Sequence, residues 1–199
     1  MEQQASKVQA VSAEALFEDL LKETPAGAMG LMLQPYWSGS GVGLDKEARG
    51  AIIGFTEIHT RAHVYRAIIE GLTYALRESK EQVEKQLGHS IERIMISGGG
   101  SQSNQVMQIS ADIFGMPVER PHTFETSGLG AAIAAAVGAN IYKDFATAVR
   151  EMTRARDCFL PSPENHKIYN QLYSQVYQKI YRGLKPSYKA MRSITGYPL

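Results

Sequence analysis

The chain has 199 residues, 44% hydrophobic and 21% charged, with a formal net charge of +1. That is the length and composition of one globular domain with an ample core, and the near-neutral balance gives no global electrostatic case for a nucleic-acid or membrane partner. One cysteine, Cys158, excludes an intramolecular disulfide framework and a cysteine-built zinc cluster, and five histidines without H-E-x-x-H spacing argue against a metal site of the chain's own. The charge is uneven: residues 1–140 hold 11 Lys+Arg against 16 Asp+Glu, and residues 141–199 hold 10 against 4. The basic second part either meets an anionic partner or docks onto the acidic first part. MEQQASK at the start lacks the apolar stretch of a signal peptide, and the small-apolar run 131–137 is too short to cross a bilayer. The cytoplasm is the expected compartment.

In chain order, Ser12 is the expected cap of a short helix with Glu14 in its first turn and Leu16, Phe17, Leu20 and Leu21 on one face. Thr24-Pro25 and Gly27 end it. Residues 30–36 form a short buried strand limited by Pro35. A loop over 37–50 follows, marked by Gly39, Gly41, Gly43 and Gly50, and then a second strand over 50–55. A long amphipathic helix over 60–87 carries Val64, Ile68, Leu72, Ala75, Leu76, Val83 and Leu87 as its expected buried stripe, with Gly88 as its stop. Gly71 inside this helix costs about 1 kcal/mol relative to alanine, which points to close approach of a neighbouring backbone or ligand.

Residues 91–119, IERIMISGGGSQSNQVMQISADIFGMPVE, read as strand, glycine turn, helix and strand, a βαβ unit. Three consecutive glycines, Gly98, Gly99 and Gly100, leave backbone N–H groups unobstructed at the end of the first strand, and the helix behind points its positive end into the same space. Such a place suits a phosphate. The motif is not a P-loop, because no GK[ST] follows, and it fails G-x-G-x-x-G, because Ser103 stands at the last glycine position. The competing reading is that the glycines permit only a tight turn and close helix–sheet packing.

Further on, Thr126 or Ser127 caps a small-residue helix over 129–137, and another helix covers 145–153. The last helix begins near Pro163. Ile168, Leu172, Val176 and Ile180 recur at four-residue spacing beside Tyr169, Tyr173, Tyr177 and Tyr181, a packing surface or, alternatively, an aromatic ligand platform. Helices alternating with about four short strands argue for an α/β architecture with helices covering a sheet. The strand expected before the first helix is missing, so the chain reads as the later part of a domain.

Two regions resemble the C-terminal domain of the FGGY family of carbohydrate kinases, of the xylulose or ribulose kinase type. One is Gly50-Ala51-Ile52-Ile53-Gly54-Phe55 followed after seven residues by His63-Val64-Tyr65-Arg66-Ala67-Ile68-Ile69-Glu70-Gly71, with Leu33-Gln34-Pro35-Tyr36-Trp37-Ser38-Gly39 as its approach. The other runs from Gly98-Gly99-Gly100-Ser101 through Gln108, Ala111-Asp112 and Gly115-Met116-Pro117-Val118 to Glu125 and Gly128-Leu129-Gly130-Ala131-Ala132. The resemblance implies an actin-like, ribonuclease-H-like α/β fold missing its first strands. It also implies ATP in a cleft between two domains, with Mg²⁺ on the phosphates.

By the same resemblance Gly100 lies against the phosphates and Asn104 near the adenine or ribose, while Gly99, Ser101 and Ser103 line the turn. Gln108 is structural, Glu125 orients the following turn, and Asp112 is not the catalytic base. The family takes its sugar and its catalytic aspartate from an N-terminal domain, whose Asp-Gly-Thr-type motif is absent from these residues, as is the Gly-Thr motif that opens the C-terminal domain. The expectation is therefore a partial nucleotide-binding domain over 1–199 that is inactive alone, with no catalytic or metal-ligating residue of its own. Two other readings stand beside it. One is a non-catalytic module that associates with further copies of itself. The other is a serine hydrolase using Ser101 with Asp144 and His166, although Ser103 stands where a nucleophile elbow requires glycine.

Overall fold

A computed structural model describes residues 13–37 and 48–196; the expected Ser12 cap and most of the 37–50 loop lie outside them. Helix α1 (Ala13–Lys22) leads through a turn into β1 (Met32–Gln34), which pairs antiparallel with β2 (Ala51–Ile53) in the register Met32 opposite Ile53. Helix α2 (Arg61–Leu87) follows, 27 residues long. Thr60 and His63 form a reciprocal capping box at its start, and Gly88 ends it in the left-handed conformation at φ 72°. Then come β3 (Ile94–Met95), α3 (Asn104–Phe114), β4 (Val118–Pro121), α4 (Thr126–Gly138), α5 (Phe145–Met152) and β5 (Ala155–Phe159). Helix α6 (Pro163–Leu172), a π-helical turn at Tyr173–Tyr177 and α7 (Gln178–Thr195) complete the chain.

The second sheet has the order β3-β4-β5, with β3 parallel and β5 antiparallel to β4. The βαβ unit expected over 91–119 is present. Strand β5 was not expected, because Ala155-Arg156-Asp157-Cys158-Phe159 carries two charges and no run of β-branched residues; pairing with β4 makes it a strand.

The buried face of α2 differs from the expected stripe. Leu72, Leu76, Val83 and Leu87 are exposed, whereas Ala62, Arg66, Ala67, Glu70, Gly71, Thr73 and Tyr74 are buried. The first half of the helix is wedged among α1, β1 and α3, so burial there follows the neighbours and not the apolar pattern. Gly71 has the expected reason: a methyl group added there would overlap the carbonyl oxygen of Leu33 in β1. The charges at Arg66 and Glu70 survive burial because they meet each other, Nε to Oε1 at 2.7 Å, and Tyr169 donates to the same carboxylate oxygen at 2.8 Å.

On the C-terminal helices the tyrosine row of the expected packing surface is the more deeply buried. Tyr169, Tyr173 and Tyr177 are buried with Tyr74, Leu21, Ile109, Ile113 and Ile180, while Ile168 is 38% exposed. Residues four apart drift around an α-helix of 3.6 residues per turn; the wider π turn at 173–177 holds the tyrosines in line. Tyr74 stacks on Tyr173 at 5.7 Å, so the tyrosine column is core and not a ligand platform. Tyrosine hydroxyls of the basic part reach carboxylates of the acidic part, Tyr169 to Glu70 at 2.8 Å and Tyr173 to Glu81 at 2.9 Å.

Candidate functional site

The glycine turn leaves the sheet at the end of β3. Ile96 N–H still bonds Glu119 O at 2.9 Å, and Gly98 then turns the chain at φ 90° while donating its N–H to Phe124 O at 3.1 Å. Gly99–Gln102 form one 3₁₀ turn, and α3 begins at Asn104. A Cβ added at Gly98, Gly99 or Gly100 would meet no atom within 4 Å. Among the described residues, the Gly99 and Gly100 N–H groups have no protein acceptor. The turn therefore leaves two N–H donors without a protein acceptor on two exposed residues.

The two serines are spent on the turn itself. Ser101 is fully buried, and its hydroxyl donates to Gly98 O at 2.7 Å. The Ser103 hydroxyl caps α3 by accepting from Val106 N–H at 3.2 Å. The positive end of α3 is not open as expected: besides Ser103, Glu18 of α1 accepts from Asn104 N–H at 3.3 Å, placing a carboxylate at that end. The neighbouring α4 differs. Its cap position is Glu125, which makes no side-chain cap bond, and Thr126, an expected cap, instead shares a 3.0 Å hydroxyl contact with Ser97. The open N-terminus beside the glycine turn thus belongs to α4.

Arg120, on β4, holds the turn from beneath. It is 6% exposed and donates Nη1 to Ser101 O at 2.8 Å and Gln102 O at 3.1 Å, Nη2 to Asn104 Oδ1 at 2.7 Å, and Nε to Asp157 Oδ2 at 2.7 Å. Burial works against the Asp157 carboxylate, yet the Arg120 and Arg156 guanidiniums beside it hold its pKa below the ordinary value. Sequence reading ended this strand at Glu119 and missed Arg120. The available signal was an arginine placed between a strand and Pro121, where an inward guanidinium needs several carbonyl acceptors. A cavity of about 150 Å³ adjoins the turn, lined by Gln102, Arg120, Pro121, His122, Phe124 and Arg156.

Gln108 is structural, as expected: its amide donates to Asp112 Oδ1 and Leu160 O, both at 2.8 Å. Asp112 also accepts from Ser162 N–H at 2.7 Å and Asn165 Nδ2 at 2.9 Å, which ties α3 to α6. The hydrolase triad does not assemble. Ser101 Oγ is bonded to Gly98, His166 Nδ1 to the Asp112 carbonyl at 2.9 Å, and Asp144 to Thr147 N–H at 2.7 Å as the cap of α5. Among the described residues, no group of three or more His, Cys, Asp or Glu side chains is placed to hold a metal ion.

A parallel strand, an open glycine turn and a capped helix make a βαβ unit, and residues 1–139 match the C-terminal domain of the FGGY family of carbohydrate kinases. The chain belongs to that family. It is 33% identical over 197 residues to an uncharacterised sugar kinase of Escherichia coli K12, YgcE, covering 97% of this chain and 40% of that protein. It is 36% identical over 159 residues to a xylulose kinase of Staphylococcus epidermidis, covering 78% of this chain and 32% of that protein. Its fold superposes on the crystal structure of a xylulose kinase from Rhodospirillum rubrum with a TM-score of 0.73 at 32% identity, covering 89% of this chain and 35% of that one. The architecture is therefore the actin-like ATPase fold, of which this chain carries the C-terminal portion. The chain spans 40% or less of the length of these relatives. Among the described residues no helix is long and apolar enough to cross a membrane.

Proposed function

We propose that the chain is the ATP-binding C-terminal part of a cytoplasmic carbohydrate kinase that transfers the γ-phosphate to a hydroxyl of a sugar or polyol, a pentulose in the first instance. The observation that carries the reading is the pair of N–H donors without a protein acceptor at the exposed Gly99 and Gly100, at the end of β3. Preorganised backbone donors of this kind hold phosphate charge without reorganising when it arrives. The family and the xylulose kinase relatives supply the choice of substrate class.

In this reading Gly99 and Gly100 bind phosphate oxygens, Asn104 meets the base or ribose, and the backbone of Ser101 and Ser103 shapes the turn. Bound Mg²⁺ neutralises phosphate charge. The sugar that carries the acceptor hydroxyl is bound, and the general base supplied, by an N-terminal domain outside these 199 residues, so the chain alone performs no transfer. Titration with an ATP analogue tests the site: the chain binds it, and Gly100→Val abolishes binding without unfolding the domain. Equal binding by the folded variant refutes the assignment, and phosphorylation of xylulose by the 199-residue chain refutes the claim of inactivity.

A second reading, self-association, has its own support. Strand β3 is an edge of its sheet, the exposed Met95 lines a hollow of about 480 Å³ under α4, and Ile141, Phe145 and Val149 are exposed as well. Light scattering that stays monomeric across a concentration series refutes it.

A further inference from the structure

We propose that Arg120 is a positioning residue that fixes the polarity of Asn104, so that the turn offers a bound nucleotide an amide donor and not an acceptor; this rests on the nucleotide reading above. A guanidinium carries five N–H donors and no acceptor. The Asn104 atom 2.7 Å from Arg120 Nη2 is therefore the carbonyl oxygen Oδ1. With that oxygen engaged from below, the planar amide points its Nδ2 group away from Arg120, on the exposed side of the residue. Arg120 cannot follow a change in Asn104, because Asp157 and the carbonyls of Ser101 and Gln102 hold its other nitrogens and Phe159 lies 5.2 Å from the guanidinium carbon.

The consequence is a chemical preference. An outward Nδ2 group meets an acceptor on the base edge where the two purines differ: the unprotonated N1 of adenine, which in guanine carries a proton. Asparagine left free to turn over would serve a donor equally well, including the protonated ring nitrogen and exocyclic amine of guanine. Arg120 is placed to make a two-faced amide one-faced, and so to favour adenine over guanine nucleotides.

The test is steady-state kinetics of the full-length protein that carries this chain, with ATP and GTP, alongside thermal unfolding. In Asn104→Asp the carboxylate keeps the Arg120 bond but offers only acceptors outward. The ATP KM rises about tenfold or more, as setting a carboxylate against an acceptor in place of a hydrogen-bond donor predicts, while the acceptor KM and the melting temperature stay unchanged. In Arg120→Met the ATP-over-GTP preference shrinks, and Arg120→Lys, which keeps a single donor toward Asn104, restores part of it. An unchanged ATP KM in Asn104→Asp, or equal weakening for ATP and GTP in Arg120→Met, overturns the proposal. Gly100→Val separates the causes. If it raises the ATP KM and Asn104→Asp does not, only the positioning role falls; if neither variant does, the nucleotide reading falls and takes the positioning role with it.

Discussion

Arg66→Met measures how much of this fold hangs on one buried ion pair. Arg66 is 6% exposed and Glu70 3%, and they lie one turn apart on α2. Arg66 donates to Glu70 Oε1 at 2.7 Å, to Leu21 O at 2.8 Å, to Thr24 O at 2.7 Å and to the Tyr169 hydroxyl at 2.8 Å. Glu70 in turn accepts from Gly27 N–H at 3.0 Å, at the start of a loop where Ala28 and Met29 take positive φ of 46° and 54°. The pair thus ties α1, α2, α6 and a strained loop together. Methionine fills the volume but leaves the Glu70 carboxylate buried beside two neutral donors, and breaking such a pair costs about 3–5 kcal/mol.

That is a large share of a total stability of about 5–15 kcal/mol. Glu70→Met strands the guanidinium and costs a similar amount. The double variant removes both charges, so its cost falls well short of the sum, by a coupling of about 2–3 kcal/mol. It is not neutral, because Leu21 O, Thr24 O and Gly27 N–H lose their partners. Urea unfolding followed by far-UV circular dichroism gives all four corners of the cycle. A cost below about 1 kcal/mol for Arg66→Met, or strict additivity in the double variant, refutes the argument that the charges support each other.

Three other outcomes follow from the same packing. Tyr177→Ala, fully buried in the tyrosine column, costs about 3–5 kcal/mol in urea unfolding, whereas Ile168→Ala on the outer face costs under about 1 kcal/mol; the reverse order places the core on the aliphatic stripe. Burial and the nearby Glu70 charge push the Tyr74 and Tyr169 phenols above their ordinary value of 10.0. A pKa raised in the folded state contributes stability that is fully present below pH 10.0 and lost as pH rises toward the folded values. Stability should therefore fall above that pH, with these phenols ionising only as the domain unfolds, and an ultraviolet titration showing early reversible ionisation of every tyrosine contradicts it. Gly71→Ala lowers the melting temperature despite alanine's better helix propensity, because its methyl group meets the Leu33 carbonyl; Gly100→Ala leaves it unchanged.

The elements most legible in the sequence were those specified locally. The βαβ unit announced itself through its glycines and helix cap, and α2 through its length, its period and Gly88. Burial was less legible, because it depends on neighbours the sequence does not name. The expected stripe on α2 was aliphatic, whereas its buried face includes Arg66, Glu70 and Tyr74; on the C-terminal helices both rows were expected to pack, and Tyr169, Tyr173 and Tyr177 are buried with Ile180. Polar groups take those places because each finds a partner across the core, Glu70 with Tyr169 and Glu81 with Tyr173. Apolar periodicity carries no signal for such pairs. Arg120 escaped for the same reason, since its acceptors are backbone carbonyls of a different segment.

The glycines of this chain differ in what requires them. A glycine is required by a positive φ, by a neighbour too close for a Cβ, or by something outside the chain that needs the space. Gly98 meets the first condition at φ 90°, and Gly71 meets the second against Leu33. Gly99 and Gly100 meet neither: they sit in a 3₁₀ turn whose conformation suits any residue, and no protein atom crowds them. Close helix–sheet packing therefore does not account for them. Alanine at either position would strain nothing and would add a methyl group on an exposed turn whose N–H donors have no protein acceptor. The cost of that methyl group falls on whatever approaches the turn from outside, and backbone donors stripped of cover are what an approaching phosphate requires.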